Sequence, residues 1–311
     1  MPFSRGLDDP FVDALNSLHN DAGGEWWRRF LCDPEIFVAI RYNSLNAYYR
    51  GCSLAKITFP NGTIVAETHY KYLVRSSATS PMIAWRGDDF HFPKSWKSGS
   101  DAIFIENLSD TAALKRAANR FAGGEKKLVA EILKRHESEV IDVEIALTND
   151  AEAAEDNSVL RLDLAALRSF AGGVEIVFYE AKLFKNKELR AQGEEVSVIK
   201  QIESYQPLIE ERCNEIRFSY LRVAQNIEKI KGMSDARRQG ARNMLQHSTA
   251  LRVCKEPVLV IGGFDRDQQK GKVWESHYKK LMQLGLGRVI AAGEGKSINL
   301  FPTPRGASRL D

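Results

Sequence analysis

The sequence is poor in residues that cross-link a fold. Four cysteines stand in 311 residues, at 32, 52, 213 and 254. No two have C-x-x-C spacing, and no histidine pair completes a zinc quartet. A disulfide framework and a structural zinc site are therefore not expected, and free, partly buried thiols in a reducing compartment are. The histidines at 19, 69, 91, 136, 247 and 277 are scattered and suggest no triad. No segment approaches the ~18–20 continuous apolar residues of a membrane span, and the first ten residues lack the apolar run of a secretory signal. These absences predict a soluble, cytoplasmic protein with no membrane partner. Nucleotide signatures are missing as well. Gly262-Gly263 follows an apolar run but has no G-x-G-x-x-G pattern, and Gly295-Lys296-Ser297 has Ile290 where a phosphate loop needs its first glycine. Any NTPase or helicase function is thus expected in a separate partner chain, the alternative partner being a second copy in a homo-oligomer.

Charge of one sign is also lacking, since 44 Lys and Arg face 41 Asp and Glu. The distribution is less even. Arg212, Arg217, Arg222, Lys229, Lys231, Arg237, Arg238, Arg242 and Arg252 face only Glu215, Glu228 and Asp235 between 212 and 252. Such an excess suits either a polyanion or an ordinary solvated helical face.

The length admits two modest domains. Residues 1–35 read as helical and aromatic-rich, ending near Pro34. Strand-like runs at 36–41, 45–50, 53–59 and 63–69, punctuated by Asn43-Ser44, Gly51 and Asn61-Gly62, predict an antiparallel meander. Residues 75–100 read as a long polar loop or linker. A helix over 108–121 starts at a Ser109-Asp110 cap, and Gly123-Gly124 marks a boundary between domains 1–122 and 123–311.

Beyond the boundary, Leu128, Val129, Ile132 and Leu133 form one stripe of a helix. Strands are expected at 140–147, 160–167 and 174–184, the last two joined by a turn at Ala171-Gly172-Gly173. An acidic, alanine-rich loop is expected at 149–157. Helices at 194–211 and about 213–233 follow, then a buried strand at 257–264, a helix at 274–284 and short strands at 288–292 and 298–301. The order α-β-β-β-α-β predicts an α/β sandwich with a mixed sheet.

Side chains two apart share a strand face. Ile176, Phe178, Glu180 and Lys182 therefore line one face, and the charged pair interrupts a pattern that a doubly buried strand would keep apolar. A hairpin at Gly172-Gly173 brings Asp163 toward Glu180. Two carboxylates offer hard oxygen ligands for Mg²⁺ or Mn²⁺, and a metal-bound water beside an ammonium suits attack on a phosphate ester. A Glu–Lys pair on a solvated sheet face is the bland alternative.

Arg161-Leu-Asp163-Leu, Phe178-Tyr-Glu180-Ala-Lys182-Leu and Gln201-Ile-Glu-Ser-Tyr205 together resemble the PD-(D/E)xK nuclease superfamily, in its branch with a Q-x-x-x-Y helix motif, as in RecB-like and defence-associated nucleases. The resemblance covers roughly 125–265, and Leu162 replaces the proline of the pattern. It implies a restriction-endonuclease-like core at 123–311 beside an N-terminal α+β domain at 1–122 of unassigned role. It implies Asp163, Glu180, Lys182 and Gln201 as catalytic residues, with Asp163, Glu180 and the Ala181 carbonyl as metal ligands. A third acid, Glu131 or Glu144, is left open. The implied activity is Mg²⁺- or Mn²⁺-dependent hydrolysis of phosphodiester bonds in DNA, in a regulated role such as antiviral defence. An RNA nuclease and an inactive nucleic-acid-binding module are the alternatives. Lys185, Lys187 and Arg190, with the 212–252 run, are candidate phosphate contacts.

Overall fold

The fold comes from a computed structural model, which describes residues 3–73, 82–86, 89–91, 105, 107–147, 161–190, 196–264, 268, 272–285 and 288–301. It is a mixed α/β chain with two sheets, each six-stranded, and eight α-helices among the described residues. The chain divides into two units. One comprises 1–3, 128–217 and 249–311, and the other comprises 4–127 and 218–248. The division expected at 122/123 thus falls near Lys127/Leu128, but residues 218–248 group with the first segment rather than the last.

The second of these units is the meander. Its strands are β1 Phe37–Arg41, β2 Ser44–Tyr49, β3 Cys52–Thr58, β4 Val65–His69, β5 Met82–Arg86 and β6 Asp89–His91, in that spatial order and antiparallel throughout. The polar stretch at 75–100 therefore contains two strands where a loop was expected. Ile83 and Trp85 are buried on alternate positions of β5, and Trp85 meets Phe90 of β6 edge-on. Helices α1 Asp9–Asn20, α2 Glu25–Cys32 and α3 Thr111–Ala118 belong here, α3 being capped by Asp110, which accepts from the Ala113 N–H.

The basic run explains why 218–248 groups with this unit. Helix α6 spans Cys213–Lys229 and a further helix, α7, spans Asp235–Gln246, where one helix to 233 was expected. Asn226 accepts from the Leu7 N–H at 2.8 Å, and Arg222 donates to the Leu7 carbonyl. Arg237 is buried, donates to the Val38 carbonyl and covers the Phe37 ring. Arg238 donates to the Glu228, Ile230 and Met233 carbonyls, satisfying acceptors at the end of α6. Arg242 pairs with Glu228, and Lys229 with Asp9. Much of the segment read as a candidate polyanion surface is thus bound to the protein's own backbone and carboxylates.

The other unit holds the mixed sheet. Its strands are β7 Val140–Ala146, β8 Arg161–Phe170, β9 Gly173–Leu183, β10 Arg252–Val253, β11 Val258–Gly262 and β12 Val289–Ala291. The order is β12-β11-β9-β8-β7, with β10 beside β9. β7, β8 and β9 are antiparallel, whereas β9, β11 and β12 run parallel. Phe170 pairs Gly173 around a two-residue turn whose Gly172 has φ +88°, a conformation that suits a residue without Cβ. Helix α4 Gly124–Arg135 precedes β7, helix α5 Ser197–Glu211 follows β9, and helix α8 Lys272–Leu281 joins β11 to β12. A Cβ at Gly262 would lie 2.5 Å from Leu128 Cδ1, so glycine there permits close packing of α4 on β11.

The 298–301 segment is not the strand expected. Asn299 accepts from the Phe301 N–H, turning the chain, and the Leu300 carbonyl accepts from the Tyr179 hydroxyl at 3.2 Å. The loop expected at 149–157 lies outside the described residues, as does the start of the helix expected from 194. All four cysteines are free, Cys52 being buried and Cys32 exposed. No helix among the described residues is long and apolar enough to cross a membrane.

Candidate active site

β9 is buried from Ile176 to Lys182 because β8 flanks it on one side and β11 on the other. On one of its faces Glu180 and Lys182 replace apolar residues, and they satisfy each other: Lys182 Nζ lies 2.9 Å from Glu180 Oε1. Their side chains are only 9% and 4% exposed, for Lys182 and Glu180 respectively, which separates this pair from an ordinary surface ion pair.

The β8–β9 ladder is described up to Leu164–Tyr179, and Asp163 is the next residue. Its carboxylate Oδ2 accepts the Ala181 N–H at 2.7 Å. A side chain thereby satisfies a buried backbone donor of β9, and Asp163 is fixed beside the Glu180-Ala181-Lys182 turn of the strand. The hairpin thus brings the aspartate to the Glu–Lys pair, as the sequence pattern requires.

Helix α5 supplies the other wall. Val198, Ile199, Ile202, Tyr205 and Ile209 form its buried stripe. Gln201 stands one turn before Tyr205. Its Nε2 donates to Glu180 Oε1 at 2.9 Å and to the Tyr205 hydroxyl at 3.2 Å. The Tyr205 hydroxyl donates to the Arg161 carbonyl at 2.8 Å. A chain of bonds therefore runs from the backbone of β8, through α5, to the carboxylate of β9, and it fixes the Glu180 rotamer.

Of the two further acids, Glu144 on β7 stands beside Asp163 and Glu131 does not. Val143 pairs Leu164 and Ile145 pairs Leu162, so Glu144 lies level with Asp163. A register shift between Val140 and Asp142 and a left-handed Glu144, φ +50°, break the simple alternation expected of this strand. Asp142 consequently turns inward, fully buried, and accepts from the Val143 N–H. Glu131 is exposed on α4, with a carboxylate oxygen 2.5 Å from where a Gly295 Cβ would stand. It faces the 295–297 turn instead.

Electrostatics single out this cluster. Burial, then the charge of Glu180, raise the Asp163 carboxyl well above its ordinary range, and Glu144 adds to the rise. The Ala181 N–H and Lys182 work against it. Burial alone would depress the Lys182 ammonium, but Glu180 and a second carboxylate, Glu188, outweigh burial and hold it above its usual value. Burial and then Glu180 raise the Tyr205 hydroxyl, which remains a neutral donor.

Glu188 was not anticipated from sequence. It lies on a single 3₁₀ turn, Lys187–Leu189, just after β9, and its Oε2 is 2.7 Å from Lys182 Nζ. The available signal was Asn186, whose side chain accepts from the Glu188 N–H and marks a capped turn, yet nothing in the spacing says where its acid points.

Among the described residues, no three His, Cys, Asp or Glu side chains gather in the arrangement of a metal cage. Mg²⁺ commonly takes only one or two protein carboxylates and completes its shell with water and phosphate oxygens. Asp163 and Glu180 bring two buried carboxylates together at this corner, and their oxygens are the donors that Mg²⁺ or Mn²⁺ prefers. The residues present therefore fit such an ion. Neither a protein family, nor a curated protein, nor a solved structure matches the chain.

Proposed function

We propose that the mixed-sheet unit is a metal-dependent nuclease of the PD-(D/E)xK kind that hydrolyses phosphodiester bonds in DNA. The supporting observation is the convergence of Asp163, Glu180 and Lys182, with Gln201 bonded to Glu180, on one buried corner of β8, β9 and α5. The order α4-β7-β8-β9-α5-β11 around a mixed sheet agrees with it.

Asp163 and Glu180, with the Ala181 carbonyl, would hold Mg²⁺ or Mn²⁺. When bound, the ion supplies charge neutralisation at phosphate and an acidified water. The chain's own residues do the rest. Lys182 donates to a phosphate oxygen and stabilises charge that grows in the transition state. Gln201 and Tyr205 keep Glu180 oriented. Lys185, Lys187 and Arg190 are exposed immediately after β9 and meet phosphates flanking the scissile bond.

The test is nicking of supercoiled plasmid by the purified protein with Mg²⁺ or Mn²⁺, alongside Lys182→Ala and a parallel RNA substrate. Metal-dependent nicking by the wild type that Lys182→Ala loses supports the reading. Equal behaviour of the two proteins defeats it, and cleavage of RNA alone reassigns the substrate.

A further inference from the structure

The double pairing of Lys182 carries a consequence beyond the proposed reaction. Glu180 has two demands on it: it is a ligand for the divalent ion in that reading, and it is also the nearest anion to the Lys182 ammonium. An ion bound at Glu180 would draw on the charge of the carboxylate that Lys182 also uses and would repel the ammonium. A lysine stem has four rotatable carbons, and losing its anchor releases it from a single geometry. A second anion that takes no part in holding the ion removes this conflict.

Glu188 has the placement for that role. It approaches Lys182 from outside the strand, at 2.7 Å. Its turn is built rather than loose. The Asn186 N–H donates to the Leu183 carbonyl, the Asn186 side chain accepts from the Glu188 N–H, and the Arg190 N–H donates to the Lys187 carbonyl. Leu189, next to Glu188, is buried in a cluster with Val196, Ile199, Ile202, Leu259 and Ile261. That cluster joins the turn to both α5 and β11, so the position of Glu188 is set by the same packing that sets Gln201. Asp163, by contrast, is bonded to the Ala181 N–H on β9, which leaves Glu180 as the carboxylate common to lysine and ion.

We propose that Glu188 is a positioning residue that holds the Lys182 ammonium while a divalent cation occupies Glu180, so that lysine and metal do not compete for one carboxylate. This rests on the nuclease reading above. Glu188 acts through Lys182 and is not itself a ligand of the ion.

A cycle of Mn²⁺ binding, read by electron paramagnetic resonance or calorimetry without substrate, tests it. Glu188→Ala and the volume-preserving Glu188→Gln are compared in the wild-type and Lys182→Ala backgrounds. With Lys182 present, either substitution leaves the ammonium on Glu180 and weakens Mn²⁺ by about tenfold, the scale of one charge-assisted bond. With Lys182 removed, the same substitutions shift Mn²⁺ affinity by no more than about threefold, the part due to lost charge alone. In plasmid nicking at saturating Mn²⁺, Glu188→Ala lowers kcat by about tenfold and leaves KM for DNA unchanged, because an anchor of Lys182 matters to the transition state and not to docking. Equal weakening of Mn²⁺ in both backgrounds makes Glu188 a ligand or a fold determinant and overturns the proposal, as does unchanged Mn²⁺ binding in the wild-type background. A wild type that binds Mn²⁺ with this coupling yet cleaves neither DNA nor RNA overturns the nuclease reading and leaves the competition at Glu180 standing.

Discussion

Replacing Asp163 by asparagine should make the metal-free protein more stable at pH 8 while abolishing metal-dependent cleavage. Continuing the Leu164–Tyr179 register by one residue sets Asp163 opposite Glu180. Cβ atoms of opposed residues are about 5 Å apart, and two unit charges at about that distance repel by about 3 kcal/mol at an effective dielectric of about 20. Lys182 beside Glu180 and the Ala181 N–H on Asp163 offset part of this, leaving relief of about 1–2 kcal/mol when the aspartate charge is removed. Asparagine keeps an oxygen for the Ala181 N–H, so the bond at that position survives. For a unit of this size the gain amounts to a rise in Tm of about 2–8 °C.

The sign follows from linkage. The Asp163 carboxyl is raised in the folded state, so the native protein holds its proton to higher pH than the unfolded chain does. Its cost is absent below the unfolded aspartate value of about 3.9, grows as pH rises toward the folded value, and is complete above that. The advantage of Asp163→Asn should accordingly be present at pH 8 and vanish near pH 4. Mg²⁺ should reverse the ranking, since an ion at about a hundred times its Kd stabilises the wild type by about 2.7 kcal/mol and the variant hardly at all. Thermal melts at pH 4 and pH 8, with EDTA or with Mg²⁺, measure all three effects. An Asp163→Asn protein that melts below wild type in EDTA at pH 8, or that keeps the same advantage at pH 4, would refute the account of repelling carboxylates.

Other outcomes follow from the same geometry. Tyr205→Phe removes the donor to the Arg161 carbonyl and an acceptor for Gln201, and should cost about 1–3 kcal/mol in urea denaturation. Glu131→Gln should leave nicking rates within twofold of wild type, about the scatter expected of an exposed substitution, whereas Glu144→Gln should lower them, because only Glu144 acts on Asp163. Glu144→Gly, which accepts φ +50° without a Cβ clash, should be about 1 kcal/mol more stable than Glu144→Ala by chemical denaturation. Arg238→Ala leaves three carbonyls without their donor and should destabilise the protein by about 2–3 kcal/mol without changing the salt dependence of DNA binding.

How much the sequence revealed depended on the range of the interaction. The β8–β9 hairpin was legible because period-2 alternation and Gly172-Gly173 are local signals, and so was the Gln201–Tyr205 pair, since i and i+4 share a helix face. The approach of Asp163 to Glu180 followed from those two facts. Glu144 was not separable from Glu131, because a register shift and a left-handed residue alter the phase of β7 and neither is encoded by an obvious glycine. Glu188 was invisible for a different reason: a flexible side chain on a capped turn chooses its partner in three dimensions. The basic run from 212 to 252 left two readings open because composition does not display its partners, among them the distant carbonyls of Leu7 and Val38. The grouping of 218–248 with 4–127 rests on the same kind of long-range bond.

The central position of β9 also bears on how the chain emerges from a ribosome. β9 ends at Leu183, and the strand that closes its second edge, β11, begins at Val258, 75 positions later. At about 5–20 residues per second, that edge waits about 4–15 s for its partner. Throughout that interval Glu180 and Lys182 belong to an edge strand, and the helices that follow β9 are made before that edge is covered. A charged pair near the end of such a strand is a known deterrent to edge-to-edge pairing with another nascent chain. Glu180 and Lys182 would then protect the strand from aggregation during synthesis, before their corner of the sheet has closed.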